Sequence, residues 1–362
     1  MATSLTKPPG SLSGVDLDSV PAVYHPLPTW VGRGLVATSA AVGVVLAVLG
    51  LNLGLAVLLA VVLLAVSMYI VSRKIEGARR AVDRLVTVIV SSAFALAMLP
   101  LVSLVYTVVS TGLTRIDLKL FTSDMRGVIG PGGGILHALV GTLLITAVAA
   151  LMSIPIGLMA AVYLVEYGGK SRLAKAVTFL VDVMTGIPSI VAGLFAYALF
   201  VLFLGPGVRM GFAGSVALSV LMIPVVVRAC EEMLRLVPNE LREAAYALGV
   251  PKGTTIVRIV LPTAIAGIAT GITLAVARVI GETAPLLIVA GFTSSTNWNL
   301  FDGRMMTLPV FAYSQYTQPG FPPEEGQDRA WAAALVLIFL VMALNLAARL
   351  ASRIFAPKIG RR

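Results

Sequence analysis

Apolar residues recur along this chain in long runs, at residues 34–51, 54–71, 85–110, 136–164, 178–204, 213–229, 262–291 and 331–348, with charged residues gathered between them. A helix rising ~1.5 Å per residue needs about 20 such residues to cross a bilayer core of ~30 Å. The pattern therefore predicts an all-α, polytopic helical membrane protein with about eight transmembrane helices. Asn52, Leu53 and Gly54 part the first two runs. Gly54 is expected to supply the positive φ of a tight helical hairpin, since one helix through both runs would far overshoot the bilayer. Residues 1–32, rich in Pro, Ser and Gly, read as a disordered tail. No cleaved signal peptide is expected, because the first apolar run starts near Gly34 and is too long for an h-region.

Composition agrees with the pattern. With 58% hydrophobic and 12% charged residues and a mean hydropathy of +0.96, the chain lacks the polar surface to cover a water-soluble globule. Its net charge of +10 is distributed rather than patched. Counting Lys and Arg in alternate loops puts 20 on one side and six (Arg115, Lys119, Arg126, Arg209, Arg304, Arg329) on the other, where six carboxylates balance them. Positive charge accumulates on the cytoplasmic face, so both termini are expected in the cytoplasm, and nucleic acid is not an expected partner. Cys230 is the only cysteine, and His25 and His137 lie in different regions, so neither a disulfide nor a metal site is expected.

One basic residue, Arg278, belongs to neither side and falls inside the seventh run, four residues before Glu282. On a continuous helix the two would share a face and could pair. A charge at the helix centre costs roughly 2.5 to 3.5 kcal/mol on insertion scales, so such residues face a bundle interior or a wet cavity. Pro285 and Gly281 are expected to distort the helix beside them. From the residues alone the pair is either a structural intrahelical bridge or an anion site, the second because an arginine fork suits a tetrahedral oxyanion. Among other polar residues in the runs, Asp182 reads as hydrogen-bonded near the interface, and Ser189 as either path-lining or bonded to its own helix. Glu166 reads as a solvated residue at the end of the fourth run.

The longest basic loop, Leu236 to Pro262, has a different character. Asn239 is expected to cap a short helix at about 239–250 with Glu240 and Glu243 in its first turns, ended by Gly249 and Pro251. Leu241, Ala244, Ala245 and Leu248 give it one apolar face. Periodicity would equally suit a helix lying on lipid headgroups. The order Glu243-Ala244-Ala245, Gly249, Ile259-Val260-Leu261-Pro262 decides between them, because it resembles the EAA loop of ABC importer permeases over about residues 137–349. That resemblance implies a type I ABC importer permease core, with Glu243, Ala244, Ala245, Gly249, Ile259, Leu261 and Pro262 coupling it to a cytoplasmic ATPase dimer.

The runs ARVIGETAPLL around Arg278, EEMLRLVP from Glu231, GIPSIVAGLF from Gly186 and VYLVEY from Val162 are similar to stretches of phosphate permeases of the PstA and PstC type. Order and spacing favour PstA. The resemblance implies that Arg278 and Glu282 line the substrate path, and Thr283 and Ser189 are expected beside them. It also implies a homologous PstC-type permease subunit, a periplasmic or extracellular phosphate-binding protein, and the bacterial plasma membrane as location. No cofactor is expected on this chain itself: no Gly-rich phosphate loop, HExxH or GxSxG occurs, so ATP and magnesium belong to the partner ATPase and an enzyme is not expected. Another oxyanion such as sulfate is the alternative cargo, and an ion channel or secondary transporter would not require the coupling loop. Two departures stand out: the helix pair at 34–71 is additional to the usual six spans, and Ala229-Cys230 precede the paired glutamates where a Thr is more usual. The aromatics Trp298, Phe301, Phe311 and Tyr313 of the 292–330 segment are expected either to meet the binding protein or to anchor at the membrane surface. The expected organisation is a tail at 1–32, helices and an outer loop at 33–135, a permease domain at 136–350 and a basic tail at 351–362.

Overall fold

The computed structural model describes residues 27–169 and 171–355, with side chains as far as residue 350. His25 and most of both expected tails lie outside these residues. Residues 29–32 already belong to a helix, so the first span starts earlier than its apolar run. Among the described residues all regular structure is helical, in the order α1 (Thr29–Val48), α2 (Leu53–Ile75), α3 (Ala78–Gly112), α4 (Leu118–Thr122), α5 (Leu136–Val162), α6 (Arg172–Thr185), α7 (Ser189–Leu204), α8 (Gly211–Arg235), α9 (Asn239–Ala247), α10 (Lys252–Thr255), α11 (Leu261–Val279), α12 (Ala284–Val289), α13 (Leu308–Thr317) and α14 (Pro323–Phe355). Seven helices are long and apolar enough to cross a membrane, and the α6–α7 pair, bent by 108°, makes an eighth crossing if taken as one span.

Contacts divide the chain into two compact units, with the boundary inside α3 between Leu104 and Val105. In the first, α1 and α2 form the expected hairpin with a different turn residue. Gly50 takes the positive φ of +91°, while Gly54 sits inside α2 and donates its N–H to Asn52 Oδ1, which caps the helix. Asn52 competes for the first free amide of α2, which moves the left-handed residue back to Gly50. Gly43 lets the two helices close: a Cβ there would fall 2.9 Å from the Ala60 Cβ. Between α2 and α3 the buried Glu76 carboxylate accepts from the Leu27 amide, from Ser72 Oγ and from Arg84. The Leu27 amide above all holds its pKa down to about 2.

The second unit is built around α5 and α8. Lipid supplies no hydrophobic drive between helices, so small residues and buried hydroxyls hold this seam. Ser215 Oγ donates to the Ile145 carbonyl at 3.1 Å and Ser219 Oγ to that of Ala149 at 3.4 Å. Gly157 faces Val226 so closely that a Cβ would lie 2.6 Å from Cγ1. On the other side of α8, Gly271 of α11 lies against Ala229.

Chain direction follows from the ends. The last turn of α5 widens into a π-helical turn, Tyr163–Tyr167, whose Glu166 bonds Arg242 of α9. Met210, just before α8, bonds the Val289 carbonyl at the opposite end. The bent pair α6–α7 therefore leaves the α9 end and finishes at the other, crossing once.

Candidate functional site

Three irregularities in the helices meet in one place. The first is the break at Gly186-Ile187-Pro188, where Pro188 cannot continue α6 and instead opens α7. The second is Pro224, near the middle of the 25-residue α8. The third is the interruption at Ile280–Thr283 between α11 and α12. Pro285 has no N–H to offer the Gly281 carbonyl, so the seventh apolar run is broken outright rather than bent. The breaks are pressed together at Gly193, where a Cβ would fall 2.6 Å from the Pro285 Cα. Backbone freed from helical bonding is tolerated at membrane depth where it lines a cavity.

Such a cavity, of about 180 Å³, opens among them. Met184, Thr185 and Ser189 form one wall, Pro224 and Val225 a second, and Arg278 and Glu282 a third. At ~30 Å³ per water it has room for several waters or one small oxyanion. Arg278 and Glu282 do not pair: no ion pair joins them among the described residues. The expected helical spacing is lost because α11 stops at Val279, where Glu282 N–H bonds the Val279 carbonyl. The guanidinium keeps its donors for something else, and the Ser189 hydroxyl likewise has no protein partner among the described residues. Thr283 is not brought to this cavity; it precedes α12 and its carbonyl accepts from Leu287.

The α9 region forms a second feature. Pro238 precedes the helix and Asn239 is its first residue, not its cap; the Asn239 side chain instead accepts from Arg242 at 3.2 Å. Gly249 ends the helix at φ +75°, as expected. Glu243, Ala244 and Gly249 are exposed, together with Leu248 at 84% and Leu241 at 41%. Ala245 turns inward and is buried against its own chain, so the apolar face is narrower than expected. Ile259 is half-buried in a second π-helical turn, Ile256–Val260, and Leu261 at the start of α11, with Pro262 in that helix's first turn. They form the base from which the loop stands out, not its exposed face.

The residue that seats α9 is Arg242. It donates to Glu166 Oε1 at 2.8 and 3.0 Å, to the carbonyls of Leu234 and Val237, and to Asn239. The Glu166 side chain is only 5% exposed, so it is a buried ion-pair partner and not the solvated residue expected. Lys252 adds a hydrogen bond to the Glu166 carbonyl and stacks 4.7 Å from the Tyr167 ring centroid. Asp182 behaves as expected near the interface, bonded to Arg228, which also holds Glu231. At the opposite end Trp298 and Phe301 are exposed, whereas Phe311 is fully buried and packs edge-on to His137.

Comparisons with known proteins agree with this architecture. Residues 153–361 match the family described as binding-protein-dependent transport system inner membrane component. The chain is 48% identical, over 77% of its length and 91% of the relative's, to the phosphate transport system permease protein PstA 1 of Mycobacterium tuberculosis (strain CDC 1551 / Oshkosh). It is 39% identical, over 79% of its length and 94% of the relative's, to phosphate transport system permease protein PstA of Yersinia pestis. Its fold is similar to that of a chain in the crystal structure of a bacterial alginate ABC transporter in complex with an alginate pentasaccharide-bound periplasmic protein. That likeness has a TM-score of 0.53 at 15% identity and covers 76% of this chain and 96% of that one. The chain therefore belongs to the binding-protein-dependent transport system permeases, among the phosphate transport system permeases of the PstA type.

Proposed function

We propose that this phosphate permease subunit passes its anion across the membrane at Arg278 and Glu282 and receives the work of ATP through α9. The observation that carries the reading is the meeting of a guanidinium, a carboxylate and a hydroxyl, none bonded to a side chain among the described residues, in one cavity where two helices break. Arginine remains charged at any physiological pH and offers parallel N–H groups to two oxygens of one phosphate. Thr185, which sequence reasoning did not single out, lines the same wall.

In this reading the α9 end is cytoplasmic, together with both termini. The exposed Leu241, Ala244 and Leu248 enter a groove of an ATPase dimer that binds ATP and magnesium, and a PstC-type permease supplies the other half of the path. An extracytoplasmic phosphate-binding protein delivers cargo to the opposite end, where the loops are nearly neutral in charge. Alternating access then follows from movement of α9, fastened by Arg242 to the end of α5 and to α8.

Proteoliposomes holding the assembled complex test this. Arg278→Ala is expected to abolish ATP-dependent phosphate uptake, about a hundredfold or more from the loss of a charged, bidentate contact, while the subunits still assemble. Undiminished uptake by that variant would remove Arg278 from the path.

A further inference from the structure

A second polar cavity, of about 340 Å³, lies at the end of the second unit opposite α9 and shares no lining residue with the first. Arg329 of α14 and His137 of α5 both line it, and both are almost wholly buried, at 3% and 1% exposure. The guanidinium is held on one side only. Its Nε donates to Gln315 Oε1 at 3.0 Å, and one terminal nitrogen donates to the carbonyls of Gly130 and Gly132 at 3.0 and 3.1 Å. The other terminal nitrogen has no hydrogen bond to any described residue.

Neither His137 ring nitrogen has a hydrogen-bond partner among the described residues. Phe311, edge-on at 5.2 Å, fixes the ring without satisfying it. Gln315, its oxygen taken by Arg329, has amide N–H groups left to donate, and the hydroxyl-bearing Thr293 and Ser294 line the same space.

Charge in the cavity wall itself is one-sided. Arg329 forms no ion pair among the described residues, and no carboxylate lines the cavity. Glu325 and Asp328, on the same helix, attract the guanidinium through space without an ion-pair contact, and the Arg115 charge opposes them. Asp124, whose charge reaches His137, accepts from the amides of Arg126 and Thr296 and does not line the cavity. A buried guanidinium that no carboxylate touches is costly, and so is a buried imidazole with no hydrogen-bond partner. A small oxyanion, rich in acceptors and negatively charged, satisfies both at once.

We propose that this cavity is a second oxyanion site, held by Arg329 and His137 and separate from the one at Arg278. Its place as the first site that entering phosphate meets rests on the orientation proposed above; the site itself does not. A phosphate group could come from free phosphate or from a lipid headgroup, and the test separates the two.

The chain has two histidines, so full-length protein labelled with [15N]histidine gives a readable signal from His137, assigned with a His25→Gln control. In maltoside detergent, which carries no phosphate, inorganic phosphate is expected to move the His137 resonance saturably. Arg329→Gln should weaken the midpoint about tenfold or more, Arg329→Lys should recover part of it, and Arg278→Ala should leave it unchanged. A His137 shift seen only in nanodiscs containing phosphatidylglycerol, and lost with Arg329→Gln, supports the same oxyanion site with a headgroup as occupant. If the wild-type resonance moves in neither medium, or moves equally well in a folded Arg329→Gln protein, the proposal fails. The wild-type titration decides the matter even if that variant does not fold. Uptake by Arg278→Ala is a separate measurement, so failure here leaves the proposed translocation path standing.

Discussion

Glu282 faces the same cavity as Arg278 without neutralising it, and this separation lets the carboxylate choose among anions. Monohydrogen phosphate carries a proton that a carboxylate can accept, whereas sulfate at neutral pH carries none and would set two negative groups against each other. Sites built around a substrate hydroxyl reject analogues lacking it by large factors. Glu282→Gln removes the repulsion and weakens the acceptor. Phosphate uptake should fall, and its advantage over sulfate should narrow about tenfold or more, measured as competition in proteoliposomes. An unchanged ratio would deny Glu282 a part in selection. Arg278 and Glu282 were legible in the sequence because a charge inside an apolar run stands out against its neighbours. Their lack of pairing was not, since it depends on where α11 stops, two residues before the glycine that was expected to weaken it.

Short-range chemistry could be read for the elements as well, within limits. Runs of apolar residues located every helix long enough to cross a membrane, and Gly249 ended α9 as its position promised. Local competition was misjudged at Asn52 against Gly54 and at Pro238 against Asn239, where two good candidates stood side by side. The seat of α9 was hidden for another reason: Arg242 and Glu166 lie 76 residues apart, and nothing in either segment announces the other. The places of Thr185 and Pro224 in the walls of the Arg278 cavity were invisible for the same reason. Arg242→Ala would strand a buried carboxylate, at a cost of about 3–5 kcal/mol for a broken buried pair, and would release α9 from three carbonyl and side-chain acceptors. Uptake per ATP hydrolysed should drop sharply. Adding Glu166→Gln removes the stranded charge, so the double variant should regain thermal stability while remaining poorly coupled. Full coupling in Arg242→Ala would show that α9 needs no such fastening.

In the second unit an apolar core shares the space between helices with a few buried hydroxyls, and large apolar side chains lie outermost as well. Phe195, Leu202 and Phe203 of α7 are 60%, 77% and 75% exposed, which only lipid or a second permease could cover. The end that carries α9 also carries Arg228, Arg235, Arg242, Lys252 and Arg258, whereas the opposite loops balance their charges, and this asymmetry predicts orientation through the positive-inside rule. Cys230, the only cysteine, is fully buried, so the native chain should not react with a membrane-impermeant maleimide. Two exposed positions then report on the two ends: Leu248 at the tip of α9, and Phe301, which stacks on Phe212 at the start of α8. Leu248→Cys should be labelled in inside-out vesicles only, and should become protected when the ATPase dimer is bound. Phe301→Cys should be labelled in right-side-out vesicles only. Labelling of both from one side would break the single crossing traced through α6 and α7. Labelling of each from the wrong side would instead invert the chain, placing α9 where no ATP is available to drive it.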